Sequence, residues 1–137
     1  MSEQINQFLT SLTEFLAFFG VAVVLTIIFT LIYWAVTKHD ELKLIKENSA
    51  AAAVAFSGSL IGFALPLVSV MMNSIGIIEL ILWGGVALIV QIVVYFLVRL
   101  PMPRISERIE ANEISAGIWL GAASLVGGML NAASMTT

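Results

Sequence analysis

The chain has 137 residues, of which 60% are apolar and 11% charged, with a mean hydropathy of +1.04. Soluble domains are roughly half apolar, so a soluble globular domain is excluded, and no room remains for one outside the apolar runs. Six Lys/Arg against nine Asp/Glu give a net charge of −3. Without a basic block the chain is no binder of nucleic acid, and with no cysteine it has no disulfide, thiolate metal site or cysteine nucleophile.

The first apolar run, 15–36, follows no cationic segment and is too long for the core of a signal peptide, so it reads as a retained span. Ser11-Leu-Thr-Glu14 has capping-box spacing, which places the start of this helix near Ser11. Further runs follow at 50–72, 75–98 and 114–135, each long enough for the roughly 20 residues that cross a hydrocarbon core. These runs predict an all-α integral membrane protein of one domain with four spanning helices. All six basic residues, Lys38, Lys43, Lys46, Arg99, Arg104 and Arg108, fall in the linkers 37–49 and 99–113. Lys/Arg excess marks the cytoplasmic side, so both linkers are expected there, with the N-terminus, the turn at 72–75 and the C-terminus on the opposite side.

In the first linker, Leu42 and Ile45 are three apart and suit a short amphipathic helix at the membrane surface. Pro101 and Pro103 break the equivalent stretch of the second, which should leave its span more abruptly. His39, the only histidine, neighbours Asp40 and Glu41 in sequence rather than at helical spacing, so the three do not converge as metal ligands and read as a solvated loop.

The chain also repeats itself. Asn48 and Asn112, and Ile45 and Ile109, stand 64 residues apart; beyond the asparagines Gly58-Ser-Leu-Ile-Gly62 lies over Ala123-Ser-Leu-Val-Gly127 at an offset of 65. The expected architecture is two parallel-repeated helical hairpins, about 11–73 and about 74–137, related by an axis along the membrane normal.

Close packing of small residues must hold such helices together in lipid. In the second span Ala51, Ala55, Gly58, Gly62, Pro66, Ser69 and Asn73 share one face. The fourth carries two small stripes, one with Gly117, Gly121, Ser124 and Gly128, the other with Ala116, Ala123, Gly127, Asn131 and Ser134, and should be the most enclosed. The third offers Gly84, Ala87, Gln91 and Tyr95, and the first Ala22, Thr26, Thr30 and Tyr33. Pro66 lies over Asn131 at the 65-residue offset, so the two are expected to face each other, with the carbonyl of Gly62 freed by the proline and Asn131 hydrogen-bonded inside the bundle.

The candidate intramembrane polar residues are Gln91, Asn131, Glu79 and Asn73. Gln91 reads as an interhelical hydrogen-bond donor ahead of a transport ligand, and Glu79 as a carboxylate reaching headgroup water ahead of a buried proton or cation site. No HExxH, G-x-S-x-G or phosphate loop is present, so no catalytic residue, cofactor or metal is expected, and no enzyme. Two functions fit. One is a membrane scaffold or partner-binding subunit that self-associates through its small-residue faces, touches lipid, and meets cytoplasmic or membrane partners through 37–49 and 99–113. The other is a small homo-oligomeric channel or transporter for an ion or small solute, lined by Gln91 and Asn131.

With Asn48-Ser-Ala-Ala-Ala, Phe56-Ser-Gly-Ser-Leu-Ile-Gly62, Trp83-Gly-Gly85, Gln91, Ala116-Gly117 and Gly127-Gly-Met-Leu-Asn131-Ala-Ala in this order, the chain resembles the YjfL-like bacterial inner-membrane proteins. That family has four spans, a duplicated two-helix unit and no assigned function. The resemblance runs from about Phe15 to the C-terminus and is weakest over 73–82, where relatives often carry a Pro-Asp turn and this chain has Gly76 and Glu79. It implies a bacterial inner-membrane location and supplies no substrate. It also suggests partners among membrane-remodelling proteins of the phage-shock type and ATP-grasp ligases, whose genes often lie nearby.

Overall fold

The computed structural model describes residues 2–37, 39–73 and 76–135. Lys38, Ser74 and the expected start of the third span at Ile75 lie outside the described residues, as do Met1, Thr136 and Thr137. Every regular element among the described residues is helical: α1 (Ser2–Val36), α2 (Glu41–Lys46), α3 (Ala50–Met72), α4 (Ile77–Val98), α5 (Ile105–Glu110) and α6 (Ile114–Ser134). Of these, α1, α3, α4 and α6 are long and apolar enough to cross a membrane.

α1 begins at Ser2, not near Ser11. No proline interrupts 2–36, and the hydroxyls of Thr10 and Thr13 bond back to the carbonyls of Asn6 and Leu9 at 3.0 and 2.9 Å, so polar residues that could have capped a helix sit inside one. At about 1.5 Å per residue its 35 residues outreach a hydrocarbon core of about 30 Å.

α3 and α6 form a parallel central pair: Ala51 lies against Gly117, Gly58 against Gly121 and Gly62 against Gly128, in the same order along both helices. α4 packs on both, and α1 on α3 and α4. The most enclosed span is α3, which touches every other helix, rather than α6 as its two small stripes suggested. The first stripe of α6 is buried on α3; of the second, Ala116 is buried as well, but Gly127 faces only side chains of α4, where a Cβ would meet Val94 Cγ2 at 2.7 Å. An apolar groove lined by Val94, Trp119, Ala123, Gly127 and Leu130 stays open beside it. Large aliphatic residues such as Leu31, Ile61, Ile89 and Leu130 are exposed on the outer faces, where hydrocarbon replaces water as the solvent.

Two apolar clusters fill the interior. At the linker end Ala51, Ala52, Ala55, Val98, Ala116 and Leu120 receive Ile105 and Ile109 of α5, with Leu44 and Ile45 of α2 packed against them. Farther along, Phe29 of α1 stacks on Phe63 of α3 at 4.3 Å between ring centroids, among Leu67, Val70, Leu80 and Ala87.

The two linkers close in the same way. The second is not broken by its prolines: Pro101 and Pro103 lie in the turn before α5, which is six residues long, as α2 is. Asn48 and Asn112 both take left-handed backbone conformations, φ 67° and 58°, after matching bonds from Asn48 N to Ile45 O and Ser49 N to Leu44 O, and from Asn112 N to Ile109 O and Glu113 N to Arg108 O. This is a helix C-terminus closed by a residue in the region asparagine tolerates. Only Asn112 adds a tertiary role, its Oδ1 accepting from Ala51 N at 3.1 Å and Ser49 Oγ at 3.3 Å. Asn112→Ala should therefore lose both the backbone fit and two bonds, about 2 kcal/mol or more, while Asn48→Ala, at an exposed site, should lose about 1 kcal/mol. Thermal unfolding in mild detergent measures the difference.

Candidate functional site

The densest polar cluster lies at the linker end, and its origin is local. Asp40 caps α2, its Oδ1 accepting from Lys43 N at 3.2 Å, with extended backbone angles of φ −85° and ψ 90°. In extended backbone, alternate side chains point the same way. Asp40 therefore points out while His39 and Glu41, on either side of it, both turn into the bundle. His39 is not in a solvated loop: it is 1% exposed, as is Glu41, and its Nε2 lies 2.9 Å from Glu41 Oε1.

The other ring nitrogen, Nδ1, is 2.9 Å from Ser106 Oγ. Ser106, on α5, is in turn 2.6 Å from the hydroxyl of Tyr95 on α4. A chain Glu41–His39–Ser106–Tyr95 thus ties the first linker to the second and both to a span. Burial pushes the Glu41 carboxyl above the usual carboxylate range, and this outweighs the opposing pull of His39, Thr37 and Trp34 beside it. Ser106 also contributes to the wall of a cleft of about 190 Å³ with Arg99, Pro103, Arg104, Glu107 and Glu110.

A second polar cluster sits deeper. The Ser59 hydroxyl of α3 is within hydrogen-bond reach of Tyr33 OH at 2.9 Å and Ser124 Oγ at 3.1 Å, and Gln91 Nε2 donates to the Ser124 carbonyl at 3.0 Å. The rings of Tyr33 and Tyr95 meet edge to face at 6.2 Å, joining the two clusters through apolar contact.

The glycines singled out from the sequence fall into two groups. A Cβ on Gly58, Gly62, Gly117, Gly121 or Gly128 would strike backbone of the facing helix; at Gly128 that backbone includes the Gly62 carbonyl, which Pro66 leaves without its helical donor. Gly84 and Gly127 face side chains alone, Leu25 at the first and Val94 and Val90 at the second. Pro66 is buried, but the polar contact between matching positions of α3 and α6 is made by Ser59 and Ser124. Asn131 is half-buried and its Nδ2 has no partner, contrary to the bond expected for it. Gln91 is buried as expected, with its Oε1 unpartnered. Asn73 is the C-cap residue of α3 and is exposed, its Nδ2 donating to Ser69 O at 2.6 Å. Glu79 is exposed in the first turn of α4, where an acid suits the helix dipole.

Sequence reasoning missed His39, Glu41, Tyr95 and Ser106 as one group. The local signal was available: a capping Asp flanked by His and Glu two apart.

A family model described as Domain of Unknown Function (DUF350) matches residues 7–135. The chain is 46% identical over 128 residues to the UPF0719 inner membrane protein YjfL of Escherichia coli (strain K12), covering 93% of this chain and 97% of that protein. It is 25% identical over 108 residues to the UPF0719 transmembrane protein YshE of Bacillus subtilis (strain 168), covering 77% and 81%. No solved structure matches it. With four apolar helices of spanning length, the chain belongs to the DUF350 (UPF0719) family of multi-pass inner-membrane proteins.

Proposed function

We propose that this chain is a membrane scaffold or partner-binding subunit whose two linkers form a rigid cytoplasmic platform. The observation that carries this reading is where the buried polar groups go. Gln91, Ser59, Ser124 and Tyr33 bond one another across helices, and the α3 and α6 backbones approach so closely that a Cβ could not be added between them. A water path through one protomer has no space along that seam. At the linker end the buried chain from Glu41 to Tyr95 holds α2 and α5 in place, leaving Lys43, Lys46, Glu47, Arg104, Glu107 and Glu110 exposed for a partner. Confinement of the basic residues to the linkers supports their cytoplasmic orientation.

Origin by duplication of a hairpin is supported by the matching linker closures 64 residues apart and by the bond between Ser59 and Ser124, equivalent at the 65-residue offset. Self-association is left to one of the two small-residue stripes of α6. Gly58, Gly62, Gly117, Gly121 and Gly128 are used within one chain, so a second copy is assigned to the open groove at Ala123 and Gly127.

Gln91 separates scaffold from conduit. Gln91→Leu should cost about 1 kcal/mol or less, the range of interhelical bonds in lipid, and Gln91→Glu should cost more by burying a carboxylate. Reconstituted vesicles should show no ion or solute flux above empty ones. Robust flux that Gln91→Glu alters without loss of folding would overturn the scaffold reading in favour of a channel or transporter.

A further inference from the structure

We propose that Ser106 and His39, with Glu41 as the positioning residue, form a nucleophile–base site that cleaves a carboxylic ester bearing an anionic group, presented at the linker end of the membrane. Three observations meet here. The hydroxyl-to-imidazole and imidazole-to-carboxylate distances are both 2.9 Å, the mutual geometry an activated serine requires. The Tyr95 hydroxyl, 2.6 Å from Ser106 Oγ, can donate to that oxygen and so leave the serine proton directed at His39 Nδ1. Ser106, 6% exposed, belongs to the wall of the cleft that also holds Arg99, Arg104, Glu107 and Glu110; Arg104 is set toward Glu107 at 3.9 Å, so Arg99 is the cation offered to an anionic group. The cleft begins where α4 ends at Val98, so an ester lying among headgroups reaches it without leaving the membrane surface.

The steps balance. Ser106 Oγ adds to the ester carbonyl carbon as its proton passes to His39 Nδ1, and the resulting imidazolium keeps its Nε2 proton on Glu41. The carbon–oxygen bond to the alcohol breaks and the alcohol takes the proton from Nδ1, leaving an acyl-serine. Water then adds by the same route, releasing the carboxylic acid and restoring the serine. The ring is used in the reverse sense from the common serine triad, with the acid on Nε2 and the nucleophile on Nδ1; which nitrogen acts as base is set by the bond the other makes. A buried imidazole–carboxylate pair is weak evidence for stability as such, whereas a serine, an imidazole and a carboxylate converging beside a cleft are the marks of a reactive site.

The test is a fluorophosphonate probe applied to the full chain in mild detergent and read by mass spectrometry. The expected result is one adduct, formed with loss of fluoride, on the peptide containing Ser106. It should be absent in Ser106→Ala, slowed at least about 10⁴-fold in His39→Gln, and slowed with an altered pH profile in Glu41→Gln, the scale seen when a triad is disrupted. Anionic phospholipid vesicles should then release fatty acid with the parent chain and not with Ser106→Ala. No adduct on parent protein of unchanged melting temperature would overturn the site, as would an adduct that survives Ser106→Ala. Variants that shift only the melting temperature would show the four residues to be a structural latch. None of these readouts depends on a partner protein or on flux, so they fail or succeed independently of the scaffold reading.

Discussion

A leucine at Gly58 should destroy the folded bundle, while a leucine at Gly85 should leave it intact. A Cβ at Gly58 would lie 2.5 Å from the Cα of Gly121 and 2.6 Å from its carbonyl carbon. Neither atom can move aside as a side chain could, so α3 and α6 must separate along the seam where they contact most extensively. Overpacking a core costs about 1–3 kcal/mol when side chains can rearrange, and a backbone clash belongs at or above the top of that range. Gly85 has open space around it, and substitution there should stay within about 0.5 kcal/mol. Gly84→Leu should fall between the two, because the obstacle is the end of the Leu25 side chain. Thermal unfolding and size-exclusion profiles in one mild detergent compare all three. Equal stability for the Gly58 and Gly85 variants would show that the seam is not closed.

His39→Ala should lower stability by about 3 kcal/mol at neutral pH, because removing one partner of a buried pair strands the other. The stranded group is Glu41, already raised by burial with His39 among the groups holding it down. Without His39 its folded-state pKa rises further above the unfolded value. An acid shifted in that direction contributes stability that is fully present below the unfolded pKa and lost as pH rises through the folded one. The gap between His39→Ala and the parent should therefore be small near pH 5 and widen toward pH 8. Adding Glu41→Gln to His39→Ala should close most of it, since a neutral amide needs no counter-charge. Urea or thermal unfolding across that pH range reads both effects, and a gap independent of pH would mean that Glu41 is not the stranded charge.

The four spans were legible because hydropathy and length act over some twenty residues at once, and the seam of Gly58, Gly62, Gly121 and Gly128 because small residues at steps of three and four mark one helix face. Single residues were harder. Ser11 and Glu14 have the spacing of a cap, but a helix starts at a capping pair only when the residues before it leave the helix, and nothing in 2–10 does. His39 and Glu41 were read by helical spacing although they flank an N-cap, where the backbone is extended and residues two apart share a side. Their remaining partners, Tyr95 and Ser106, lie 56 and 67 positions from His39, a separation that no local motif spans. Asn131 shows the opposite failure: its chemistry demanded a partner, and its Nδ2 has none.

The platform requires both linkers on the cytoplasmic side, which single cysteines test directly because the chain has none of its own. In intact cells a membrane-impermeant thiol reagent should label a cysteine at Ser2, and should reach cysteines at Lys43 and Glu107, both exposed, only after the inner membrane is opened. Labelling of Lys43→Cys or Glu107→Cys in unopened cells would place the linkers outside and contradict a cytoplasmic scaffold.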